Sequence, residues 1–237
     1  MQNKHKTYFN WSTGKDSALA LYHLLKSKEH SVEHLLTSVN SHYQRVSMHG
    51  LRTELLQQQL HATGIAGSTI ELPEQPSNVQ YETLMRETVS RLKEDGFTHA
   101  AFGDIFLEDL KAYREQQLHP FGITTVFPLW KKDTRQLIHE FIDLGFKAIV
   151  ICINADALPK TFAGRIIDRS FIQDLPASVD VCGENGEFHT FCFDGPIFKR
   201  PIKFSTGEIV FKEYSTASSK HGFWFCDLLP EKENVQL

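Results

Sequence analysis

The stretch Ser12-Thr13-Gly14-Lys15-Asp16-Ser17, close to the start of a chain of 237 residues, decides the fold. An apolar run at 7–11 before it predicts a short strand, and an amphipathic run at 17–28 after it predicts a helix. At such a junction in a parallel sheet, backbone N–H groups and the positive end of the helix dipole point toward the ligand crevice. We therefore expect a ligand to bind at this loop.

The side chains of the 12–17 loop suit an anionic ligand. Gly14 lets the backbone approach an anion, Lys15 supplies a positive charge for phosphate oxygens, and the hydroxyl groups of Ser12 and Ser17 can donate hydrogen bonds. The spacing is not that of a Walker P-loop, because that motif needs glycine at position 9 and Ser or Thr at position 16, where this chain has phenylalanine and aspartate. The simpler alternative is a helix that follows a strand and is N-capped by Ser12.

Strand-like and helix-like segments continue to alternate after the loop. Further strands are predicted at 32–39, 68–72, 99–103, 124–129 and 146–153, and helices at 51–63, 81–95, 107–118 and 134–144. This βαβα order predicts an α/β fold, an open parallel sheet with helices on both faces. The continuous apolar run at 146–153 is typical of a strand that such a sheet buries on both faces.

The character of the sequence changes after about Pro159. Short segments, residues with β propensity and turn dipeptides such as Asn185-Gly186 and Asp194-Gly195 predict a smaller C-terminal α+β domain. We expect an N-terminal domain at residues 1–132 and a C-terminal domain at residues 133–237.

Composition and charge exclude several classes of protein. Hydrophobic residues make up 41% and charged residues 23% of the chain, which is ordinary for a soluble globular protein. The net charge of −4 makes nucleic acid an unlikely main partner. The four cysteines are far apart, which is typical of reduced thiols in a cytoplasmic protein. Neither a signal peptide nor a membrane-spanning apolar run is expected, and a homodimer is a possible assembly.

Polar residues at the ends of predicted strands are further candidates for a site. Asp104 follows Gly103 at the edge where open α/β sheets bind ligands, so it either holds Mg²⁺, orients a nucleotide hydroxyl or N-caps the next helix. Arg114 either neutralises phosphate or carboxylate charge or is an ordinary exposed arginine. His49, after the second predicted strand, lies near the expected position of an adenine ring or is a plain loop residue.

A second group of polar residues surrounds a tight turn near residue 185. Glu184 and Glu187 are three positions apart around Asn185, and His189 would share a face with Glu187 in a continuing strand. Such a cluster could bind the cation of an incoming amine, accept its proton or hold a metal. The alternative is a hairpin turn with solvated charges. A His-Glu-x-x-His pattern is absent, so we do not expect a catalytic zinc.

The loop resembles the PP-loop, whose signature is Ser-Gly-Gly-Lys-Asp-Ser, with Thr13 in place of the second glycine. Because Thr13 has a Cβ atom, we expect that its turn does not require a conformation reserved for glycine. Other segments are similar to the diphthine–ammonia ligase-like ATP-binding family of the PP-loop superfamily. These segments are Phe102-Gly103-Asp104-Ile105, the stretch 109–115, Phe127-Pro128-Leu129-Trp130 and the most family-specific stretch, 182–190.

This resemblance implies a Rossmann-like fold and an ATP-dependent ligase that uses Mg²⁺. The N-terminal domain would bind ATP and the C-terminal domain the substrate. A substrate carboxylate would be adenylated with release of pyrophosphate, and ammonia would then displace AMP. In the named family the carboxylate belongs to diphthine, a modified histidine on translation elongation factor 2. The alternatives are a PP-loop ATP pyrophosphatase acting on another small molecule or on tRNA, and a non-catalytic nucleotide-binding module.

The resemblance also assigns roles to residues of this chain. The nucleotide would contact Ser12, Thr13, Gly14, Lys15, Asp16, Ser17, His49 and Gly103. The catalytic residues would be Lys15, Asp104, Glu184 and Glu187, with Asp104 also a metal ligand. The substrate would contact Arg114, Asn185, His189 and Thr190.

Overall fold

The structure, a computed structural model, describes residues 4–47, 49–215 and 220–231. The first part of the chain contains β1 (His5–Asn10), α1 (Lys15–Lys26), β2 (His30–Asn40), β3 (Arg45–Val46), α2 (Thr53–Thr63), β4 (Ala66–Leu72), α3 (Asn78–Glu94), β5 (His99–Ala101), α4 (Glu108–Leu118) and β6 (Thr124–Val126). The second part contains α5 (Thr134–Asp143), β7 (Lys147–Asn154), α6 (Arg169–Asp174), β8 (Phe188–Asp194), β9 (Phe204–Ser215) and β10 (Lys220–Pro230).

Within the described ranges, the first six strands form one sheet of order β3-β2-β1-β5-β6, with β4 also paired to β2. All of its strand pairs are parallel except that of the short β3 with β2. Residues 34–36 of β2 pair with both β1 and β4, so β4 lies on the far side of β2. The strands that follow β1 in the sequence are thus placed first on one side of it (β2 to β4) and then on the other (β5 and β6). The point where it reverses lies between the carboxyl ends of β1 and β5, where open α/β sheets bind ligands.

Helices cover both faces of this sheet, as the sequence predicts. Alternate residues of β1 point to opposite faces, so Phe9 packs in a core that contains Leu19 of α1, while Tyr8 packs in a separate core that contains Val89 of α3 and Leu118 of α4. A central strand buried on both sides is typical of a doubly wound α/β fold. The predicted α/β class is confirmed.

The remaining described strands form an antiparallel sheet of order β8-β7-β10-β9. The C-terminal α+β character is therefore confirmed, but the expectation that the run at 146–153 belongs to the parallel sheet is wrong. This run forms β7, which pairs antiparallel with β8 and with β10. Ala148 to Ile153 are each at most 2% exposed. A central strand covered on both faces has the same apolar sequence in either kind of sheet, so the sequence pattern does not reveal the direction of pairing.

One apolar core joins the two sheets. It contains Phe9 and Leu19 from the first part of the chain together with Phe188 and Phe191 from the second. Because protein interiors are close-packed, this shared core fixes β8 relative to the start of α1. The division into domains at residues 132 and 133 stays a proposal, and its outermost residues, 1–3 and 232–237, lie outside the described part.

The helix after the loop begins two residues earlier than predicted, at Lys15. Gly14 is the N-cap residue, in an extended conformation with φ −86° and ψ 177°, and it contributes no side-chain cap. Ser12 is therefore not the cap, and Lys15 and Asp16 both lie in the first helical turn. None of the helices in the described residues is long and apolar enough to cross a membrane.

Candidate functional site

The 12–17 loop closes on itself at the carboxyl end of β1. The Ser12 and Ser17 hydroxyl oxygens are 2.7 Å apart, and the Ser17 hydroxyl also accepts a 3.3 Å hydrogen bond from the backbone N–H of Ser12. The backbone N–H of Gly14 donates to the Ser12 hydroxyl at 3.4 Å. Both serines thus shape the loop, and the first turn of α1 opens directly from it.

Thr13 adopts a left-handed backbone conformation with φ +74° and is fully buried. The turn thus does not require a conformation reserved for glycine, but a β-branched residue in this left-handed region is strained. The Thr13 carbonyl oxygen accepts hydrogen bonds from the Cys192 N–H at 2.9 Å and from the Gln59 amide at 3.0 Å. Its hydroxyl has no hydrogen-bond partner in the described residues. Contacts with β8 and α2 therefore hold Thr13 in a conformation that its own side chain disfavours.

Thr190 of β8 approaches the start of α1 from the second sheet. Its hydroxyl accepts a 3.0 Å hydrogen bond from the Lys15 backbone N–H, which has no partner inside the helix. A Cβ atom on Gly14 would lie 3.2 Å from the Thr190 carbonyl oxygen and 3.5 Å from Cε1 of His49. The lack of a side chain on Gly14 is thus what lets β8 and His49 come this close to the loop.

Lys15 is 3% exposed and points toward the second part of the chain. Its ammonium group donates to the Asp16 carboxylate at 2.7 Å and to the carbonyl oxygen of Cys182. Burial alone would lower the pKa of Lys15, but the acidic groups around it, led by the Asp16 carboxylate, together outweigh burial and raise the pKa above its ordinary value. Lys15 therefore remains a cation, buried where α1 meets the segment before residue 183.

Glu184 connects the second part of the chain to the end of β5. Its Oε1 atom accepts hydrogen bonds from the backbone N–H groups of Ile105 at 2.7 Å and Phe106 at 3.3 Å. Burial, with a smaller contribution from the nearby Asp16 carboxylate, raises the pKa of Glu184 to about 7, although the Ile105 hydrogen bond opposes the shift. A carboxyl group with this pKa can both take up and release a proton near neutral pH.

Glu187 is 7% exposed and bonds to its own turn, residues 180–187, which we call the acidic turn. Its carboxylate accepts hydrogen bonds from the backbone N–H groups of Asp180 at 3.0 Å and Asn185 at 2.9 Å, and from the Asn185 side-chain amide at 3.0 Å. Asn185 and Glu187 thus stabilise the acidic turn. Glu184, which belongs to the same turn, is thereby held where it can bond to the backbone after β5.

The rings of His49 and His189 stack beside Gly14, with centroids 4.7 Å apart and planes 24° from parallel. Burial, together with the charge of Lys15, lowers the pKa of His189 to about 4. Burial, His189 and Lys15 lower the pKa of His49 as well. Both imidazoles are therefore neutral at pH 7. Nδ1 of His49 is buried and has no hydrogen-bond partner in the described residues.

Gly103 lies against the first turn of α1, since a Cβ atom at this position would be 2.9 Å from the backbone nitrogen of Ser17. The next residue, Asp104, is 11% exposed and forms an ion pair with Arg114, 2.8 Å to Nε and 3.1 Å to Nη2. The Arg114 guanidinium also lies 4.3 Å from the centroid of the Phe102 ring. Among the described residues, no group of three or more His, Cys, Asp or Glu side chains is arranged to hold a metal.

The structure thus divides the residues that the sequence singles out into two neighbouring groups. The first group surrounds the start of α1. It contains Gly14, Lys15, Asp16 and His49 from the first part of the chain, and Glu184, His189 and Thr190 from the second. The second group lies at the adjoining end of β5 and contains Gly103, Asp104 and Arg114. The backbone N–H groups of the residues after Asp104 connect it to Glu184.

Sequence reasoning missed Gln59, which organises the loop. This residue is fully buried, accepts a 2.7 Å hydrogen bond from the Trp11 indole, and donates to the carbonyl oxygens of Thr13 and Cys192. It lies on the buried face of α2, next to Leu56 and Leu60 in the sequence pattern. An amide on the apolar face of an amphipathic helix is the signal that could have identified it.

The strand order, with the 12–17 loop at the carboxyl end of its central strand, defines an α/β protein of the PP-loop class. A family model described as the diphthamide synthase N-terminal domain matches residues 5–124, just over half of the chain. The model of the diphthamide synthase C-terminal domain matches residues 133–221. The chain therefore belongs to the diphthamide synthase family and is diphthine–ammonia ligase-like.

Individual relatives match parts of the chain. The diphthine–ammonia ligase of Bos taurus is 34% identical over 87 residues, which are 35% of this chain and 33% of that protein. The diphthine–ammonia ligase of Danio rerio is 26% identical over 164 residues, 64% of this chain and 62% of that protein. These matches thus span less than two thirds of each relative's length. A solved structure from Methanocaldococcus jannaschii, described as a predicted subunit of tRNA methyltransferase, is 16% identical with a TM-score of 0.41, covering 60% of this chain and 77% of that one.

Proposed function

We propose that the protein is an ATP-dependent ligase that adenylates a substrate carboxylate and then transfers ammonia to it. One observation carries the proposal: Glu184, with a pKa of about 7, comes from the second part of the chain to the carboxyl ends of β1 and β5, beside Lys15 and Asp16. A loop with a buried lysine alone would serve nucleotide binding, whereas a carboxylate with this pKa adds a group able to exchange a proton with ammonium.

The nucleotide would bind at the start of α1. Its phosphates would accept hydrogen bonds from the hydroxyl and N–H groups of the 12–17 loop and would be neutralised by Lys15. The unpartnered Nδ1 of His49 fits a polar atom of a ligand beside this loop, whereas Gly103 packs directly against the first turn of α1. Thr190 contacts the loop and His189 stacks on His49 beside it, so we now assign both to the nucleotide side rather than to the acceptor.

Mg²⁺ fits the chemistry of Asp104, because this ion is commonly held by one or two carboxylates together with phosphate oxygens. When bound, it would supply positive charge to the phosphates. Arg114 would then share the Asp104 carboxylate with the ion, since the two side chains are paired. Among the other carboxylates of the site, Asp16 pairs with Lys15, whereas Glu184 and Glu187 accept hydrogen bonds from backbone N–H groups.

The chemistry divides into two transfers. In the first, a carboxylate oxygen of the acceptor attacks the α-phosphorus of ATP, and the bond to the β-phosphate oxygen breaks to release pyrophosphate. In the second, Glu184 takes a proton from ammonium, the ammonia nitrogen attacks the acyl carbon, and AMP leaves with the electrons of the broken C–O bond. A second proton passes from the nitrogen to water as the amide forms. Glu187 and Asn185 would act as positioning residues that hold the acidic turn behind Glu184.

The experiment that tests this proposal follows both transfers in one reaction. The protein is incubated with α-labelled ATP, Mg²⁺, ¹⁵N-ammonium and elongation factor 2 that carries diphthine, the acceptor named in the relatives. We expect AMP, pyrophosphate and ¹⁵N in the acceptor. Lys15→Ala should abolish AMP formation, whereas Lys28→Ala, which removes an exposed lysine just after α1, should not. Release of ADP and phosphate, or ATP binding without turnover, would contradict the proposal.

A further inference from the structure

One carboxylate of β10 holds both ends of the segment that contains His49. This segment, residues 45–52, which we call the histidine loop, runs from the first residue of β3 to the N-cap residue of α2. Asp227 accepts hydrogen bonds from Nη1 of Arg45 at 2.6 Å, and from Nε and Nη2 of Arg52 at 3.2 Å and 2.7 Å. Neither transfer of the proposed reaction uses these three charged residues.

The Asp227 carboxylate is ionised and directs its arginine partners. Its side chain is 21% exposed, and the side chains of Arg45 and Arg52 are 31% and 33% exposed. Burial alone would raise the pKa of Asp227, but the hydrogen bonds from Arg52 and Arg45 outweigh burial and lower the pKa below its ordinary value. Because Arg52 bonds to both carboxylate oxygens, this pair fixes the direction of the guanidinium as well as its distance from β10.

Contacts inside the histidine loop connect these ion pairs to His49. The Nη1 atom of Arg45 also donates to the carbonyl oxygen of Gly50 at 2.8 Å, and the Gly50 N–H donates to the carbonyl oxygen of Val46 at 3.0 Å. A Cβ atom on Gly50 would lie 3.1 Å from Cδ1 of Phe225, which also belongs to β10. Gly50, the residue directly after His49, is therefore fixed by Arg45 and by β10.

The His49 side chain has few contacts of its own that fix its position. Its Cε1 atom would lie 3.5 Å from a Cβ atom on Gly14, and its ring stacks on His189. In the part of the chain that the structure describes, the buried Nδ1 atom has no hydrogen-bond partner. The distance of the ring from the start of α1 thus depends on the backbone of the histidine loop.

We propose that Asp227 is a positioning residue of the nucleotide site. It acts through Arg45 and Arg52 to hold His49 beside the 12–17 loop, where His49 contacts the adenosine part of ATP. The inference rests on the proposed function in taking ATP as the ligand of this loop. Loss of the Asp227 pairs weakens the contact with adenosine, whereas the phosphate contacts of the 12–17 loop are unaffected.

Two ligands separate the adenosine contact from the phosphate contacts, because tripolyphosphate carries the phosphates of ATP without its adenosine. Asp227→Asn keeps the shape of the side chain but removes its charge and one acceptor oxygen. In calorimetric titration of the full chain, we expect this variant to bind ATP about tenfold more weakly, a change of about 1.4 kcal/mol, and tripolyphosphate within about twofold of wild type. Any result in which ATP binding is not weakened more than tripolyphosphate binding overturns the proposal.

Two further variants show whether the effect belongs to this place in the fold. Asp143→Asn removes a carboxylate that pairs with Arg169 at 2.9 Å on the surface, and both affinities should stay unchanged. Phe225→Leu leaves a gap beside Gly50 but keeps Asp227, and it should weaken ATP binding alone, by about threefold. Thermal melting shows which variants are folded, and Phe225→Leu decides the test if Asp227→Asn is not. An equal loss of ATP affinity in Asp143→Asn would contradict the proposal.

A double-mutant cycle tests whether Asp227 acts through His49. Residues that act as one unit have non-additive effects, so Asp227→Asn should cost little further ATP affinity in a protein that already carries His49→Ala. If the two losses add in full, Asp227 does not act through His49 and the proposal fails.

The results also distinguish this inference from the proposed function. If Asp227→Asn selectively weakens ATP binding but the wild type does not form AMP and pyrophosphate, the proposed function fails and the positioning role stands. If ATP cleavage depends on Lys15 but Asp227→Asn binds both ligands as the wild type does, the inference fails alone. A wild type that binds no ATP would overturn both.

Discussion

At the scale of single residues, the site depends on side chains whose behaviour differs from that of the free amino acid. Lys15 is a buried cation, Glu184 titrates near neutral pH, and His49 and His189 are neutral imidazoles. In each case burial acts on the charged form, and neighbouring charges decide whether the shift is offset or enlarged. Thr13 differs in its backbone instead, since it occupies a left-handed conformation.

Thr13→Gly should stabilise the protein. Glycine adopts a φ of +74° without the steric cost of about 1–2 kcal/mol that a side chain adds, and only part of this gain is lost to the greater freedom of glycine in the unfolded chain. We expect the free energy of unfolding, measured in denaturant, to rise by about 1 kcal/mol. Thr37→Gly, the same change at a buried position in β2, should lower it. A lower free energy of unfolding in both variants would show that Thr13 is not strained.

Glu184→Gln should remove ammonia transfer while leaving the fold intact, because glutamine can still accept the hydrogen bond from Ile105. Since the folded-state pKa of Glu184 is raised from 4.5 to about 7, ionisation between these pH values favours the unfolded chain. Wild-type stability should therefore fall relative to the variant as the pH rises from 4.5 through about 7, whereas the rate of ammonia transfer should rise through pH 7. If the difference in unfolding free energy between wild type and variant stayed constant over this pH range, the raised pKa would be contradicted. Glu94→Gln, at an exposed position, serves as the control.

At the scale of elements, the site depends on how closely α1 approaches its neighbours. The helix starts at Lys15 because Gly14 is extended, and its first turn rests against the backbone at Gly103 on one side and against Thr190 of β8 on the other. Sequence patterns predicted the strand and the helix at this junction, but they placed the start of the helix two residues late. Helix ends are fixed by backbone contacts of this kind more than by side-chain periodicity.

Gly103→Ala should displace the first turn of α1. The new Cβ atom would lie 2.9 Å from the backbone nitrogen of Ser17, and a backbone atom cannot rotate away as a side chain can. We expect a loss of about 1–3 kcal/mol in the free energy of unfolding, as for other overpacked sites, together with weaker ATP binding. Gly207→Ala in β9, where the nearest atoms are 3.4 Å away, should be tolerated. Equal stability of the two variants would mean that α1 does not lie this close to Gly103.

At the scale of the whole molecule, the two sheets act as one body because a single apolar core and a buried hydrogen-bond network join them. Gln59 of α2 is the centre of this network, between Trp11 and Thr13 in the first part and Cys192 in the second. The proposed site therefore lies between two parts of the chain whose relation is set by packing. Lys15 and Thr190, which form a hydrogen bond in this site, are 175 positions apart in the sequence.

Gln59→Leu should destabilise the protein by about 2–4 kcal/mol. The change leaves the buried Trp11 indole N–H without its acceptor, and it removes one donor each from the carbonyl groups of Thr13 and Cys192. A buried polar group that is left unpaired costs about 1–3 kcal/mol. Gln57→Leu, on the exposed face of the same helix, should change stability by less than about 0.5 kcal/mol. Chemical denaturation measures both, and similar values would show that Gln59 is not the link between the parts.

The sequence by itself determined the alternation of strands and helices, the position of the 12–17 loop at the first strand–helix junction and the α+β character of the C-terminal part. These features follow from periodicity, turn residues and local spacing, which neighbouring residues encode together. Only the tertiary structure decided that β7 pairs in the antiparallel sheet, that Thr13 is left-handed, that Thr190 and Gln59 hold the loop, and that the Glu184 carboxylate lies beside Ile105 with a raised pKa. Each of these depends on contacts between segments distant in the chain and on the burial they produce, so the sequence around each residue does not contain them.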